Sequence, residues 1–87
     1  MIIFTSRNYD KKSAKLDKKV RRALLNRLGL FISNPFHPLL NNHELSGVRR
    51  NQRSINITGD WRLIFEQADG ETVRLLDIDT HHHLYGN

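Results

Sequence analysis

The chain contains side chains that can move protons and hold an anion: His43, Arg53, Asn56, Asp60, Trp61, Arg62, His81 and Tyr85. Cutting RNA asks for little more. The strand carries its own nucleophile, the 2′-OH. A protein has only to remove that proton, steady the charge on the phosphate and protonate the leaving 5′-oxygen. A base, a cation and an acid suffice, without a metal. Histidine suits the acid because it titrates near neutrality. Arginine offers a planar fork that matches a phosphate. An aromatic ring can receive a base drawn out of its stack.

Each of these residues also has a plainer reading. Asp60 follows Gly59 and is an ordinary turn aspartate. Trp61 reads equally as a core ring, and His43 alone as a solvated loop histidine. Arg62 can pair with Glu66. The triplet His81, His82 and His83 is a poor metal site, because three adjacent side chains do not easily converge on one ion and the chain has no cysteine.

The elements that must position these groups follow from periodicity. Ile2, Ile3 and Phe4 predict a first strand within residues 1–7. Asn8 is placed to cap a helix that carries Tyr9 and Leu16, and Asp17 to cap a second. In that second helix Val20, Leu24, Leu28 and Phe31 form an apolar stripe, which Ala23, Leu25 and Ile32 widen. Lys18, Lys19, Arg21, Arg22, Asn26 and Arg27 fill much of the rest. Pro35 and Pro38 end helical structure, so residues 34–42 are expected to be a loop. Residues 44–50 predict a short strand. Residues 53–58 alternate, with Ile55 and Ile57 on one face. Gly59 and Asp60 make a turn, 61–67 a strand, Asp69–Gly70 a hairpin and 72–79 a further strand. Residues 81–87 form a short tail.

This order predicts one α+β domain over residues 1–87. Two helices pack on one face of a twisted, mainly antiparallel sheet of four to five strands, and the other face stays open. The eight residues named above fall at strand ends or beside turns, where scaffolds hold functional groups. An 87-residue chain buries only about 60–65% of its unfolded surface, enough for one modest core. It has 14 Lys and Arg against 9 Asp and Glu, a net charge of +5, which favours an anionic partner. The absence of cysteine excludes disulfides, thiolate zinc sites and a cysteine nucleophile. No apolar run is long enough to span a membrane, and the first residues show no secretory signal.

Three segments occur in an informative order: HELSG at 43–47, RSINITGDWRLIF at 53–65 and DTHHHLYG at 79–86. Together they resemble the YafQ-like mRNA interferase branch of the RelE/ParE toxin superfamily. In that branch a His-x-Leu-x-Gly segment precedes an Asp-Trp pair that opens a strand, and a Thr-His-x-x-Leu-aromatic segment follows. Where that branch carries a further histidine before Asp-Trp, this chain has Asn56, which can hold a phosphate but cannot exchange a proton near neutrality.

The resemblance implies a RelE-like fold with a short C-terminal helical tail. It implies a cytoplasmic toxin of a type II toxin–antitoxin system that cuts mRNA in the ribosomal A site, leaving 2′,3′-cyclic phosphate and 5′-OH ends. His81 is expected to be the acid, and Asp60 with His43 to handle the nucleophile's proton. Arg62 is expected on the phosphate, with Arg53, Asn56, Trp61 and Tyr85 around the substrate. The expected partners are a cognate antitoxin protein, mRNA and ribosomal RNA, with no metal, no small-molecule cofactor and no membrane. Two other readings share the scaffold: a ParE-like poison of DNA gyrase, and a non-catalytic RNA- or protein-binding module.

Overall fold

The structure is a computed structural model and describes residues 1–86. Strand β1 (Ile2–Thr5) leads into α1 (Arg7–Ser13) and α2 (Lys18–Ser33). Strands β2 (His43–Glu44), β3 (Arg53–Asn56), β4 (Trp61–Gln67) and β5 (Thr72–Thr80) follow, and then α3 (His81–Tyr85). The five strands form one sheet in the order β1-β5-β4-β3-β2. β1 runs parallel to β5, and the other pairs are antiparallel. This is the expected α+β architecture with five strands.

The helix starts show local logic. α1 is capped by Ser6, whose hydroxyl accepts from the Tyr9 amide at 3.0 Å. The expected cap, Asn8, instead donates its amide to the Leu76 carbonyl at 2.9 Å and ties α1 to β5. Asp17 does cap α2, accepting from the Val20 amide at 2.9 Å. α2 ends at Ser33, just ahead of Pro35. Val20, Leu24 and Phe31 are buried, with Ala23 and Leu28 partly so. Leu25 and Ile32, expected to widen this stripe, lie outside it and face solvent, because they fall on the flank that the sheet does not reach.

Three other boundaries differ from expectation. A 3₁₀ turn at Pro38–Leu40 interrupts the 34–42 loop and seats Leu40 in the core. The strand expected at 44–50 stops at Glu44. Gly47 adopts a φ of 66°, and a 3₁₀ turn over Gly47–Arg49 lifts the chain off the ladder. β3 ends at Asn56, although the Ile57 amide still donates to the Trp61 carbonyl at 2.9 Å.

The helix-facing side of the sheet carries Ile55, Ile57, Leu63, Phe65, Val73, Leu75 and Ile78. Phe31 of α2 meets Phe65 edge-on at 4.9 Å between ring centroids. The pairing slips between Ile64 and Phe65: Phe65 faces Leu75 but Ile64 faces Asp77, so Leu76 has no partner on β4. The slip reverses the phase of β5. Ile78 returns to the core, and Asp77 and Asp79 point to the opposite face. That face is not open as expected. Ser54, Ile64 and Asp77 form a cross-strand row there and are all buried, and the 45–52 loop reaches over them.

Adjacent residues on α2 test this placement. Leu24→Ala should cost roughly 2–5 kcal/mol in urea unfolding, and Leu25→Ala no more than about 0.5 kcal/mol. Equal losses would mean that α2 is rotated from the position described.

Candidate active site

A groove of about 540 Å³ lies on the face away from α2, between the 45–49 loop and α3. His43 enters it from β2, Arg49 from the loop, and His81, Leu84 and Tyr85 from α3. His43 is exposed, and its Nδ1 lies 2.7 Å from the Asn41 carbonyl. A carbonyl only accepts, so Nδ1 carries the proton. In the neutral ring the lone pair is then on Nε2. Asn41 presents that carbonyl from the left-handed region, at φ 46°, a conformation asparagine tolerates.

His81 opens α3, and its backbone amide donates to the Asp60 carbonyl at 2.7 Å. Its ring meets Tyr85 one turn later, edge-on at 4.6 Å. Neither ring nitrogen has a hydrogen-bond partner among the described residues, so both remain available to a substrate. The Thr80 hydroxyl caps the helix, accepting from the His83 amide at 3.2 Å.

Beside the groove lies a compact charge network. Lys12 Nζ, from α1, is 2.7 Å from Asp77 Oδ1 and 2.7 Å from Asp79 Oδ2. His83 Nδ1 is 2.9 Å from Asp79 Oδ1, joining α3 to the same carboxylate. Arg49 Nη2 approaches Asp77 at 3.6 Å, and its Nη1 donates to Gln52 Oε1 at 3.2 Å. Burial pushes the Asp79 carboxyl up. The bonds from Lys12, His83 and the Thr80 amide outweigh burial and bring it from 3.8 down to about 2. Burial lowers Lys12, and its bonds to the two aspartates raise it by more. Lys12 and Asp79 are thereby each held in the charged form, and the network fastens α1, β5, α3 and the loop together.

Of the residues singled out in the sequence, the groove brings together His43, His81 and Tyr85. Asp60 and Trp61 line a different cavity, with Lys19, Val20 and Thr58. Trp61 packs half-buried against the core, and Asp60 serves the groove through its backbone carbonyl. Arg62 stands on the groove's face of the sheet, opposite Asn56 and Asp79. Its Nη1 is taken up by the carbonyls of Thr58, Gly59 and Trp61 at 3.0–3.1 Å. Asn56 buries its Oδ1 without a partner.

Arg53 lies apart from the groove. Its Nε donates to Asn42 Oδ1 at 2.8 Å, and its guanidinium covers the Phe36 ring at 5.6 Å. The histidine triplet splits, with His81 on Tyr85 and His83 on Asp79. Sequence reading missed Arg49, the groove's cation. Its only local signal was the Arg49-Arg50 pair following Gly47.

No protein-family model matches the chain, and no curated protein matches it. Solved structures do. YafQ from E. coli aligns with a TM-score of 0.77 at 25% identity, covering 97% of each chain. A mutant of E. coli YafQ aligns at 0.78 and 27% identity, again over 97% of each chain. The chain belongs to the RelE/YafQ-like toxin superfamily. The E. coli DinJ-YafQ toxin-antitoxin complex gives a TM-score of 0.68 at 24% identity, over 97% of this chain and 96% of that one. In this RelE/YafQ-like scaffold the groove is built by the short β2, the loop after it and the helix after β5. No helix among the described residues is long and apolar enough to cross a membrane.

The network predicts an acid limb in stability. Asp79 is depressed in the fold, so its contribution is fully present above about pH 4 and is lost as the pH falls towards 2. Its depression corresponds to roughly 2 kcal/mol at neutral pH. Lys12→Met should remove most of this and flatten the limb in urea midpoints measured from pH 7 to 2. An unchanged limb would show that Lys12 does not hold Asp79.

Proposed function

We propose that the chain is the toxin of a type II toxin–antitoxin system and cuts mRNA in the ribosomal A site without a metal. The supporting observation is that two imidazoles, one with its tautomer fixed, share a groove with an arginine and a tyrosine. The 2′-oxygen attacks the adjacent phosphorus as His43 Nε2 takes its proton. The bond from phosphorus to the 5′-oxygen breaks, and His81, protonated, supplies a proton to that oxygen. The products are a 2′,3′-cyclic phosphate and a 5′-OH.

Arg49 stabilises the charge on the non-bridging oxygens. Its contact with Asp77 is long, and that aspartate has a closer partner in Lys12, so Arg49 can turn towards a phosphate. Tyr85 holds the His81 ring on edge and offers its own face to a base. In this reading the proton acceptor is His43. Asp60 and Arg62 brace the β3–β4 turn, whose carbonyl at Asp60 seats His81. Asn56, whose Oδ1 is buried and which does not line the groove, takes no part in the proton transfers.

The proposed partner outside RNA is a cognate antitoxin, by analogy with the E. coli DinJ-YafQ toxin-antitoxin complex. The proposed location is the cytoplasm, where ribosomes and their message are found.

Cleavage on programmed ribosomes tests the assignment. His81→Ala and His43→Ala should each lower the rate on the order of 100- to 10,000-fold. Loss of His43 should remove the rise in rate on the acid side of the pH profile, since the base must be neutral. Loss of His81 should remove the fall on the alkaline side, since the acid must be protonated. Full activity in both alanine variants would refute the mechanism.

A further inference from the structure

The fold gives the three histidines of α3 three different surroundings. His81 lines the groove, as do Leu84 and Tyr85, at the third and fourth positions after it. His83 does not line it, and its Nδ1 lies 2.9 Å from Asp79 Oδ1. His82 is exposed, and its ring makes no hydrogen bond or ion pair among the described residues. Successive helical residues are turned by about 100°, so His83 points roughly 200° from His81, to the opposite side of α3.

The bond from His83 to Asp79 is the one side-chain hydrogen bond that ties α3 to the sheet among the described residues. Its acceptor is braced on both oxygens. Asp79 Oδ1 also accepts from the Thr80 amide at 2.7 Å, and Oδ2 meets Lys12 Nζ at 2.7 Å. Lys12 is held in turn by Asp77 Oδ1 at 2.7 Å. The carboxylate cannot swing towards α3 or away from it without giving up one of these bonds. We propose that His83 is a positioning residue for His81, and that Lys12 acts at the same point through Asp79. The proposal rests on the reading that His81 is the acid of an RNA-cutting reaction.

A five-residue helix does not hold its shape alone. The Thr80 cap and the bond from the His81 amide to the Asp60 carbonyl act on its backbone at the start. His83 adds a grip on the far side of the axis. With that grip closed, α3 cannot roll, and the opposite side presents His81 and Tyr85 to the groove together. A carboxylate only accepts, so His83 Nδ1 carries the proton and makes the bond whether its ring is neutral or charged. His83 touches no reacting atom. Its effect on the reaction passes through the placement of the His81 ring, and a misplacement of about 1 Å costs on the order of 100-fold in rate.

Cleavage kinetics on programmed ribosomes and NMR of the full chain test this together, below the thermal midpoint of each variant. His83→Ala and Lys12→Met should each lower kcat roughly ten- to a hundredfold with KM little changed. His83→Gln keeps a donor for Asp79, Lys12→Arg keeps the cation, and each should recover most of the rate. His82→Ala should match the parent. In a His81→Ala background, His83→Ala should cost nothing further, because its effect passes through that ring. NMR reads the placement without any cutting. The His81 ring protons feel the Tyr85 ring current, and their shifts should move towards random-coil values in His83→Ala and return in His83→Gln. Parent-like kcat and His81 shifts in a folded His83→Ala protein would overturn the proposal. So would a loss that adds in full to that of His81→Ala. If the parent cuts nothing, the nuclease reading falls, and the His81 shifts alone decide whether His83 sets that ring.

Discussion

Leu76 sits in β5 without a partner on β4, and much of the site depends on that slip. Had β5 kept one phase from Val73 onward, positions 77 and 79 would follow 73 and 75 into the apolar layer. Two carboxylates there would be costly to bury, and the helix-facing side would lose Ile78. One additional residue reverses the alternation. It places Asp77 and Asp79 on the face where Lys12, Arg49 and His83 meet them, and the free Leu76 carbonyl receives Ser6 and Asn8 from the start of α1. A local irregularity in one ladder thereby fixes both the position of the first helix and the charge arrangement beside the groove.

The charge network then works as a tether. α3 is only five residues long, too short to be stable alone. It is held at its start by the Thr80 cap and the Asp60 carbonyl, and at its centre by the bond from His83 to Asp79. The ring of His81 is aimed by those contacts and by Tyr85. Lys12 lies about seventy positions before this helix, yet it acts on the helix through one carboxylate. The 45–52 loop is tied less firmly, through the long Arg49–Asp77 contact and its own internal bonds. The groove thus has one rigid wall and one more adaptable one.

Much of the fold was legible from the sequence, and parts of the site were too. Asp17 and the Val20–Phe31 stripe gave α2, and the alternation around Ile55 and Ile57 gave β3. His43 and His81 stood out by residue type and by the segments around them. Alternation alone does not say which face a strand-end residue serves, so Asp60, Trp61 and Arg53 were grouped with residues from which the sheet separates them. The phase change was written in the adjacent pair Leu75 and Leu76, but a doublet of leucines also suits an unbroken buried strand. Arg49 was hidden because its position depends on the left-handed turn at Gly47, and a strand reading of 44–50 points it elsewhere. Lys12 had no local signal, since its partners lie 65 and 67 residues later in the chain.

The parallel pairing of β1 with β5 joins residues 2–5 to residues 72–75. The final strand is inserted between β1 and β4, in the middle of the sheet rather than at its margin. Until β5 arrives, β1 has no neighbour, α1 lacks its anchoring carbonyls and His81 has no frame. Contacts of such long sequence separation close late and slowly. Assembly of the scaffold and assembly of the groove should therefore be the same cooperative event. A chain in which β5 is not yet paired would lack the groove, because α3, which forms one of its walls, follows that strand.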